Sequence, residues 1–128
     1  MKAKINGIDI AYTDQGTGKP VVFVHGFPLN KSMWDEQVKA LSAKHRVIAV
    51  DLRGHGESGA ASGTLSMDLL ADDVKGLLDH LRLDRAILVG FSMGGYATFA
   101  CYRKYANRVR ALVLADTRPQ PDSPEAKQ

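Results

Sequence analysis

Four short apolar runs recur along the chain, at residues 20–24, 46–50, 85–89 and 108–115. Each is short, rich in valine, isoleucine and leucine, and lacks the polar–apolar alternation of a half-exposed strand. Each therefore reads as a strand buried on both faces. Longer segments with helical spacing of apolar residues separate them. Strands that alternate with helices must cross over the sheet between strands, which makes the sheet parallel and covers both its faces. Ahead of these runs, residues 2–5 and 8–13 flank Asn6-Gly7, a dipeptide that accepts the positive φ angles of a tight hairpin. Residues 14–18 read as a second turn. The expected fold class is α/β: a three-layer α/β/α sandwich, mostly parallel, with an N-terminal antiparallel hairpin and six strands.

The helices carry their own signals. Ser32 is a candidate N-cap for a helix over 33–43, with Met33, Trp34, Val38 and Leu41 near one face. Thr64 or Ser66 can cap a long helix in which Leu65, Leu69, Leu70, Val74, Leu77, Leu78 and Leu81 recur at helical spacing. Asp68, Asp72, Asp73 and Lys75 fill its other face. A third helix is expected over 93–105. The 128 residues suit one domain, expected over 1–117. The stretch 118–128 has three prolines and almost nothing apolar, and reads as a flexible tail.

A net charge of +3 is too small to predict a nucleic-acid partner, and lysine and arginine never form a run of five. Arg103, Lys104, Arg108 and Arg110 cluster locally and read as a solvated helix end, which the helix dipole favours, rather than a phosphate-binding patch. Cys101 is the only cysteine, so no intrachain disulfide forms. No apolar run reaches membrane length, and Met1-Lys2-Ala3-Lys4 leads into a polar turn rather than a signal-peptide core. A cytoplasmic protein without a membrane contact is expected. No cluster of His, Cys, Asp and Glu has metal-ligand spacing, and no cofactor is expected.

The chemistry concentrates at Gly90-Phe91-Ser92-Met93-Gly94, a G-x-S-x-G pattern between a strand and a helix. A serine on such a sharp turn stands its hydroxyl clear of the backbone, and the turn demands small residues two positions to either side. Gly94, Gly95, Ala97, Ala100 and Cys101 give the following helix a face that can lie close to the sheet. The helix N-terminus then aims free amides and its positive dipole end at the reaction centre. The amide of Met93 is placed to stabilise an oxyanion. A second element, His25-Gly26-Phe27-Pro28, leaves a buried strand at the edge of the sheet where open α/β folds bind ligands. The amide of Phe27 is the natural second oxyanion donor. His25 is read as a loop-holding residue rather than a general base.

Together with Asp51-Leu52-Arg53-Gly54-His55-Gly56-Glu57-Ser58, these motifs stand in the order and spacing of the α/β-hydrolase superfamily, which the chain resembles over residues 2 to about 117. It is most similar to the small carboxylesterases, enol-lactonases and cofactor-free perhydrolases. The resemblance implies hydrolysis of a small ester or lactone, with Ser92 as nucleophile and the amides of Phe27 and Met93 as oxyanion hole. Residues 53–56, including His55, look like the family's structural loop beside the pocket. A serine nucleophile argues against the aspartate-based dehalogenases and epoxide hydrolases. The family's order is Ser, then Asp or Glu, then His. The resemblance therefore implies further strands after the sixth, and a fold truncated there. His25, His45, His55 and His80 all precede Ser92, and Asp116 matches a less common position for the acid. Weak activity is expected, because a serine without a base is a poor nucleophile. An uncovered sixth strand also implies a homodimer through residues 109–115.

Two other readings compete. Gly54-His55-Gly56-Glu57-Ser58-Gly59 fits the dinucleotide fingerprint G-x-G-x-x-G, but it leads into a loop where the fingerprint opens a helix. The other is a non-catalytic folded fragment that dimerises or binds a partner or ligand.

Overall fold

A computed structural model of the chain describes residues 1–26, 30–59 and 66–115. β1 (Lys2–Ile5) and β2 (Ile8–Gln15) form the hairpin, and β3 (Pro20–Val24) follows. A 3₁₀ turn (Lys31–Trp34) leads into α1 (Asp35–Leu41), then β4 (Arg46–Val50), α2 (Met67–His80), β5 (Ala86–Phe91), α3 (Met93–Lys104), a second 3₁₀ turn (Ala106–Arg108) and β6 (Val109–Ala115). The strands form one sheet in the order β1-β2-β4-β3-β5-β6. β2 pairs antiparallel with β1 and β4, and every other pairing is parallel. The expected sandwich with an opening hairpin is therefore the fold.

β3 lies between β4 and β5, and its pleat sorts the core into two layers. Val22 and Val24 face one layer with Ile48, Val50, Leu88, Leu70, Leu77 and Leu78. Val21 and Phe23 face the other with Val47, Ala49, Trp34 and Val38. Helices α2 and α3 thus cover one face, and the 3₁₀ turn with α1 covers the other. Phe23 and Trp34 stack with ring centroids 4.8 Å apart. Leu70, Leu77 and Leu78 are fully enclosed, and burial of each such side chain contributes about 1.5–3 kcal/mol.

Several local expectations are corrected. β2 runs on to Gln15, because Asp14 and Gln15 still pair with Ile48 and Val47 and the Arg46 guanidinium forks onto Asp14 at 3.0 and 2.7 Å. The turn begins only at Gly16, whose φ is +83°. Asn30, not Ser32, starts the first helical segment: its side chain accepts from the Ser32 amide at 2.9 Å. α1 then stops at Leu41, two residues short of the expected end. Ser66 caps α2 by accepting from the Leu69 amide at 3.0 Å; Thr64 and Leu65 lie outside the described residues. Asp73 is buried rather than solvated. Arg53 donates to it at 2.8 and 3.0 Å, and Asn6 donates at 3.0 Å from the hairpin turn.

Arg103, Lys104 and Arg110 of the basic cluster are exposed, as expected of a solvated helix end, and Arg108 is half-buried. Arg103, Lys104 and Arg108 reach from α3 and the following turn to Asp68, Asp72 and Asp79 of α2, at 2.5, 2.6 and 2.7 Å. They join the two helices of one face, each pair adding little by itself because water screens it. Residues 54–59 turn back on β2, with Gly59 donating to Asp9 and Gly54 to Gly59, and are turns and bends rather than helix. Residues 60–64, the expected loop after these glycines, lie outside the described residues. The tail 118–128 lies outside the described residues. Among the described residues, no helix is long and apolar enough to cross a membrane.

Candidate active site

The parallel strands β3, β4 and β5 end together on one edge of the sheet. That edge gathers His25 and Gly26, Asp51 and Leu52, and Ser92. β5 runs through Gly90 to Phe91, two residues further than its apolar run suggests, and α3 begins at Met93. Ser92 alone makes the reversal. Its φ of 54° and ψ of −115° lie outside the regions open to an ordinary L-residue, a strain that costs on the order of 1–3 kcal/mol and persists only where packing fixes it. The packing is visible at the flanking glycines. A Cβ on Gly90 would lie 2.6 Å from the carbonyl oxygen of Gly94 and the Cα of Gly95. One on Gly94 would strike the carbonyl oxygens of Val24 and His25. The small residues therefore let α3 enter against β3 and β5, as the pattern predicts.

Backbone bonds hold the turn from both sides. The Ser92 amide donates to the Ala115 carbonyl at 3.2 Å, and the Tyr96 amide donates to the Ser92 carbonyl at 3.2 Å. The Ser92 side chain makes no capping bond to α3. As the first residue of the helix, Met93 presents an amide with no acceptor in the preceding turn of helix. Gly26 lies directly against the serine: a Cβ there would be 3.2 Å from the Ser92 Cβ and 2.9 Å from the Phe91 carbonyl oxygen. Two of the sequence motifs are thus in contact. Phe27 lies outside the described residues, as does Asp116.

His25 is fully buried and both ring nitrogens are engaged. The Leu52 amide donates to Nε2 at 2.9 Å, so Nε2 is unprotonated and Nδ1–H donates to the Gly26 carbonyl at 3.0 Å. Burial pushes its pKa below the usual histidine value, only partly opposed by the Gly26 bond, and the neighbouring His55 lowers it further. The ring bridges the ends of β3 and β4. His55 packs beside it, ring centroids 5.2 Å apart, with Nδ1–H donating to the Arg53 carbonyl at 3.0 Å. His80 lies elsewhere, edge-on to Tyr12.

Sequence reasoning gave no role to Asp51 and did not single out Lys31. The buried Asp51 carboxylate accepts the Lys31 amide at 2.7 Å, the Lys31 ammonium at 3.1 Å and the Glu57 amide at 2.9 Å. Lys31 also bonds Glu57 at 2.8 Å. Burial pushes the Asp51 carboxyl up, but the Glu57 and Lys31 amides and the Lys31 ammonium outweigh it and hold it below the usual carboxylate range. Gly56 is required here, since a Cβ on it would run into the Asp51 carboxylate. The one available signal was an aspartate ending a buried strand ahead of a glycine-rich loop. Among the described residues, no group of three His, Cys, Asp or Glu side chains could hold a metal ion.

The strained Ser92 thus stands on a strand–turn–helix between β5 and α3, packed against Gly26 at the end of β3. Comparison with known proteins shows the family. The α/β-hydrolase-fold family matches residues 19–128, and the chain belongs to it. The non-heme chloroperoxidase CPO-A1 of Kitasatospora aureofaciens is 44% identical over 117 residues, which are 89% of this chain and 42% of that protein. A thermophilic esterase from Thermogutta terrifontis is 48% identical with a TM-score of 0.91, the match covering 98% of this chain and 48% of the esterase. The enol-lactonase of Burkholderia xenovorans LB400 is 36% identical at a TM-score of 0.91, covering 98% and 50%. The chain thus spans about half the length of these relatives.

Proposed function

We propose that the chain acts on small carboxylic esters or lactones through an acyl-enzyme on Ser92. The observation that carries this reading is the Ser92 turn, with its positive φ and Gly26 packed against it. In the proposed step the Ser92 oxygen bonds to the substrate carbonyl carbon, and the carbonyl oxygen takes the negative charge. The amides of Met93 and Phe27 donate to that oxygen. The Ser92 hydroxyl proton passes through solvent to the departing alkoxide as the carbonyl re-forms, and water then adds to the acyl carbon and breaks its bond to Ser92, giving the acid and returning a proton to the serine. A serine nucleophile separates this chemistry from that of the aspartate-based epoxide hydrolases.

The base is the weak point of the reaction. No histidine follows Ser92 within the 128 residues, and His25 is occupied at both nitrogens. Asp116 is retained as the acid that would orient a base. The carbonyl of its neighbour Ala115 accepts from the Ser92 amide, which brings the end of β6 to the elbow. Turnover by this chain is therefore slow, resting on the oxyanion hole and binding, on the order of 10³–10⁴ over water where triads are incomplete. The reading includes a cytoplasmic location, with which a single cysteine agrees. The test is hydrolysis of p-nitrophenyl acetate by the protein beside Ser92→Ala. Turnover above buffer that vanishes in the variant is expected; equal rates refute the reading.

One observation favours a second role. Among the described residues β6 pairs only with β5, and Val113 on it is 50% exposed. Such an edge templates pairing, and a two-fold homodimer through β6 would cover it whether or not the serine is active. Sedimentation velocity tests this: a monomer at high protein concentration excludes the dimer.

A further inference from the structure

The opposite edge of the sheet carries a second feature. An open groove of about 440 Å³ is lined by Pro20, Arg82, Leu83, Asp84, Arg85 and Arg110. Pro20 begins β3, Arg85 precedes β5 and Arg110 is the second residue of β6. The groove thus lies at the amino ends of these strands, whereas Ser92 follows the carboxyl end of β5.

Its charge is uncompensated. Of the described arginines, Arg46, Arg53, Arg103 and Arg108 each pair with an aspartate. The other three are Arg82, Arg85 and Arg110. They form no ion pair among the described residues and all line this groove. The exposed groove thus carries three arginines and one acidic residue, Asp84. Like charges gathered on one surface raise the local potential, and an anion lowers it. The planar fork of arginine suits the oxygens of a phosphate, which two N–H groups can meet at once.

The loop that carries them is built to stay in place. α2 ends with the Arg82 amide donating to Asp79 and the Leu83 amide to Leu78, at 3.0 and 2.8 Å. That pattern needs a left-handed residue, commonly glycine; here it is Arg82, with φ of +59°. A residue that accepts this strain brings a guanidinium that glycine would not. Arg108 fixes the rest of the loop, donating to the carbonyls of Asp84 and Leu83 at 2.7 Å each. Its third contact, to Asp79, anchors it on α2.

We propose that this groove binds a small molecule carrying a phosphate group, held by Arg82, Arg85 and Arg110. Asp84 opposes the anion and selects ligands that also offer it a hydrogen-bond donor. The volume suits a small organic ligand. The site is independent of the Ser92 reading, since the two lie at opposite ends of the strands.

The test titrates inorganic pyrophosphate into ¹⁵N-labelled protein at fixed ionic strength, following backbone amides. Saturable shifts confined to residues 82–86 and 109–111 are expected. Arg82→Gln, Arg85→Gln and Arg110→Gln should each weaken binding about tenfold or more, on the scale of a lost charge-assisted contact. Arg110→Lys keeps the charge and should still lose affinity, because the fork is gone. Asp84→Asn should tighten pyrophosphate binding. Thermal melts confirm that each variant is folded, and Arg110→Gln on the exposed strand face serves if Arg82→Gln is not. Shifts that rise linearly, that spread over every basic surface or that persist unchanged in the glutamine variants would overturn the proposal. Tighter binding of citrate than of pyrophosphate would overturn the phosphate assignment.

Discussion

Adding one methyl group at Gly90 should damage the elbow without touching Ser92. The alanine Cβ would sit 2.6 Å from the Gly94 oxygen and the Gly95 Cα, whereas ordinary contact begins at 3.4 Å. Both obstacles are backbone, so no rotamer change relieves them. The N-terminal turn of α3 must retreat from β5 by about 0.8 Å, the difference between those distances. Overpacking of this kind costs about 1–3 kcal/mol, which for a chain of this size lowers the melting temperature by about 4–12 °C. The same movement carries the Met93 amide away from an oxyanion on Ser92. Misplacement by about 1 Å costs about 10²-fold in rate. Phosphonylation of Ser92 by a fluorophosphonate, beside a thermal melt, reads both effects. A Gly90→Ala protein that labels within a factor of about two of the parent and melts at the same temperature would refute the packing argument. Failure of the parent to label would refute the nucleophile instead and leave the stability shift as expected.

Arg53→Met should cost about 3–5 kcal/mol, because among the described residues it leaves the buried Asp73 carboxylate with only Asn6 as side-chain donor; the double variant with Asp73→Leu should lose less than the sum of the singles in urea melts, and strict additivity would contradict the buried pair. Arg82→Gly should raise stability by about 1 kcal/mol by relieving a left-handed arginine, read as a higher urea midpoint, while removing one side chain of the basic groove. Burial pushes the Cys101 thiol up to about 11. At pH near 8 it should resist a thiol reagent in the folded protein and react once unfolded, and stability should fall as pH rises from the unfolded thiol pKa through the folded one. His25 runs the other way: its folded pKa is lowered, so the unfolded chain binds the proton first. Stability should fall as pH drops below 6.5, and the ¹⁵N shifts of His25 should still report a neutral ring with Nδ1–H in that range.

The architecture was legible because its signals are redundant. The runs at 20–24 and 46–50 are strands with those bounds, since an uninterrupted apolar run has no other stable use at that length. The elbow was legible because Gly90 and Gly94 are demanded by contacts on both sides of Ser92. What escaped were features set by tertiary partners. Asp73 stands three residues after Leu70 and four before Leu77, so helical spacing sets it beside the apolar stripe, but a carboxylate without a known partner argues for solvent. Only the return of Arg53 and Asn6 to that position makes burial of a carboxylate affordable. The last two residues of β2 were hidden by polar side chains, whose ladder bonds to β4 do not depend on side-chain type. Lys31 was invisible because its partners, Asp51 and Glu57, meet it only after the crossover through α1.

Parallel strands give the sheet two chemically different ends, and this chain uses them differently. At the carboxyl ends, the polar groups are inwardly satisfied. His25 is spent on Leu52 and Gly26, and Asp51 on Lys31 and Glu57, so that Ser92 is presented by a rigid and largely neutralised frame. At the amino ends Arg82, Arg85 and Arg110 form no ion pair among the described residues, although Arg46, which begins β4, bonds Asp14. Burial explains the contrast. A charge enclosed near His25 and Asp51 must be paired within the fold, whereas exposed arginines are solvated and tolerate being unpaired. The same physics therefore fixes the geometry around Ser92 and leaves the other end free to take its counter-charge from outside. Saturating pyrophosphate should leave the rate of Ser92 phosphonylation unchanged. A shared change at both ends would mean that β5, which joins them, transmits a displacement that its pairing with β3 and β6 should resist.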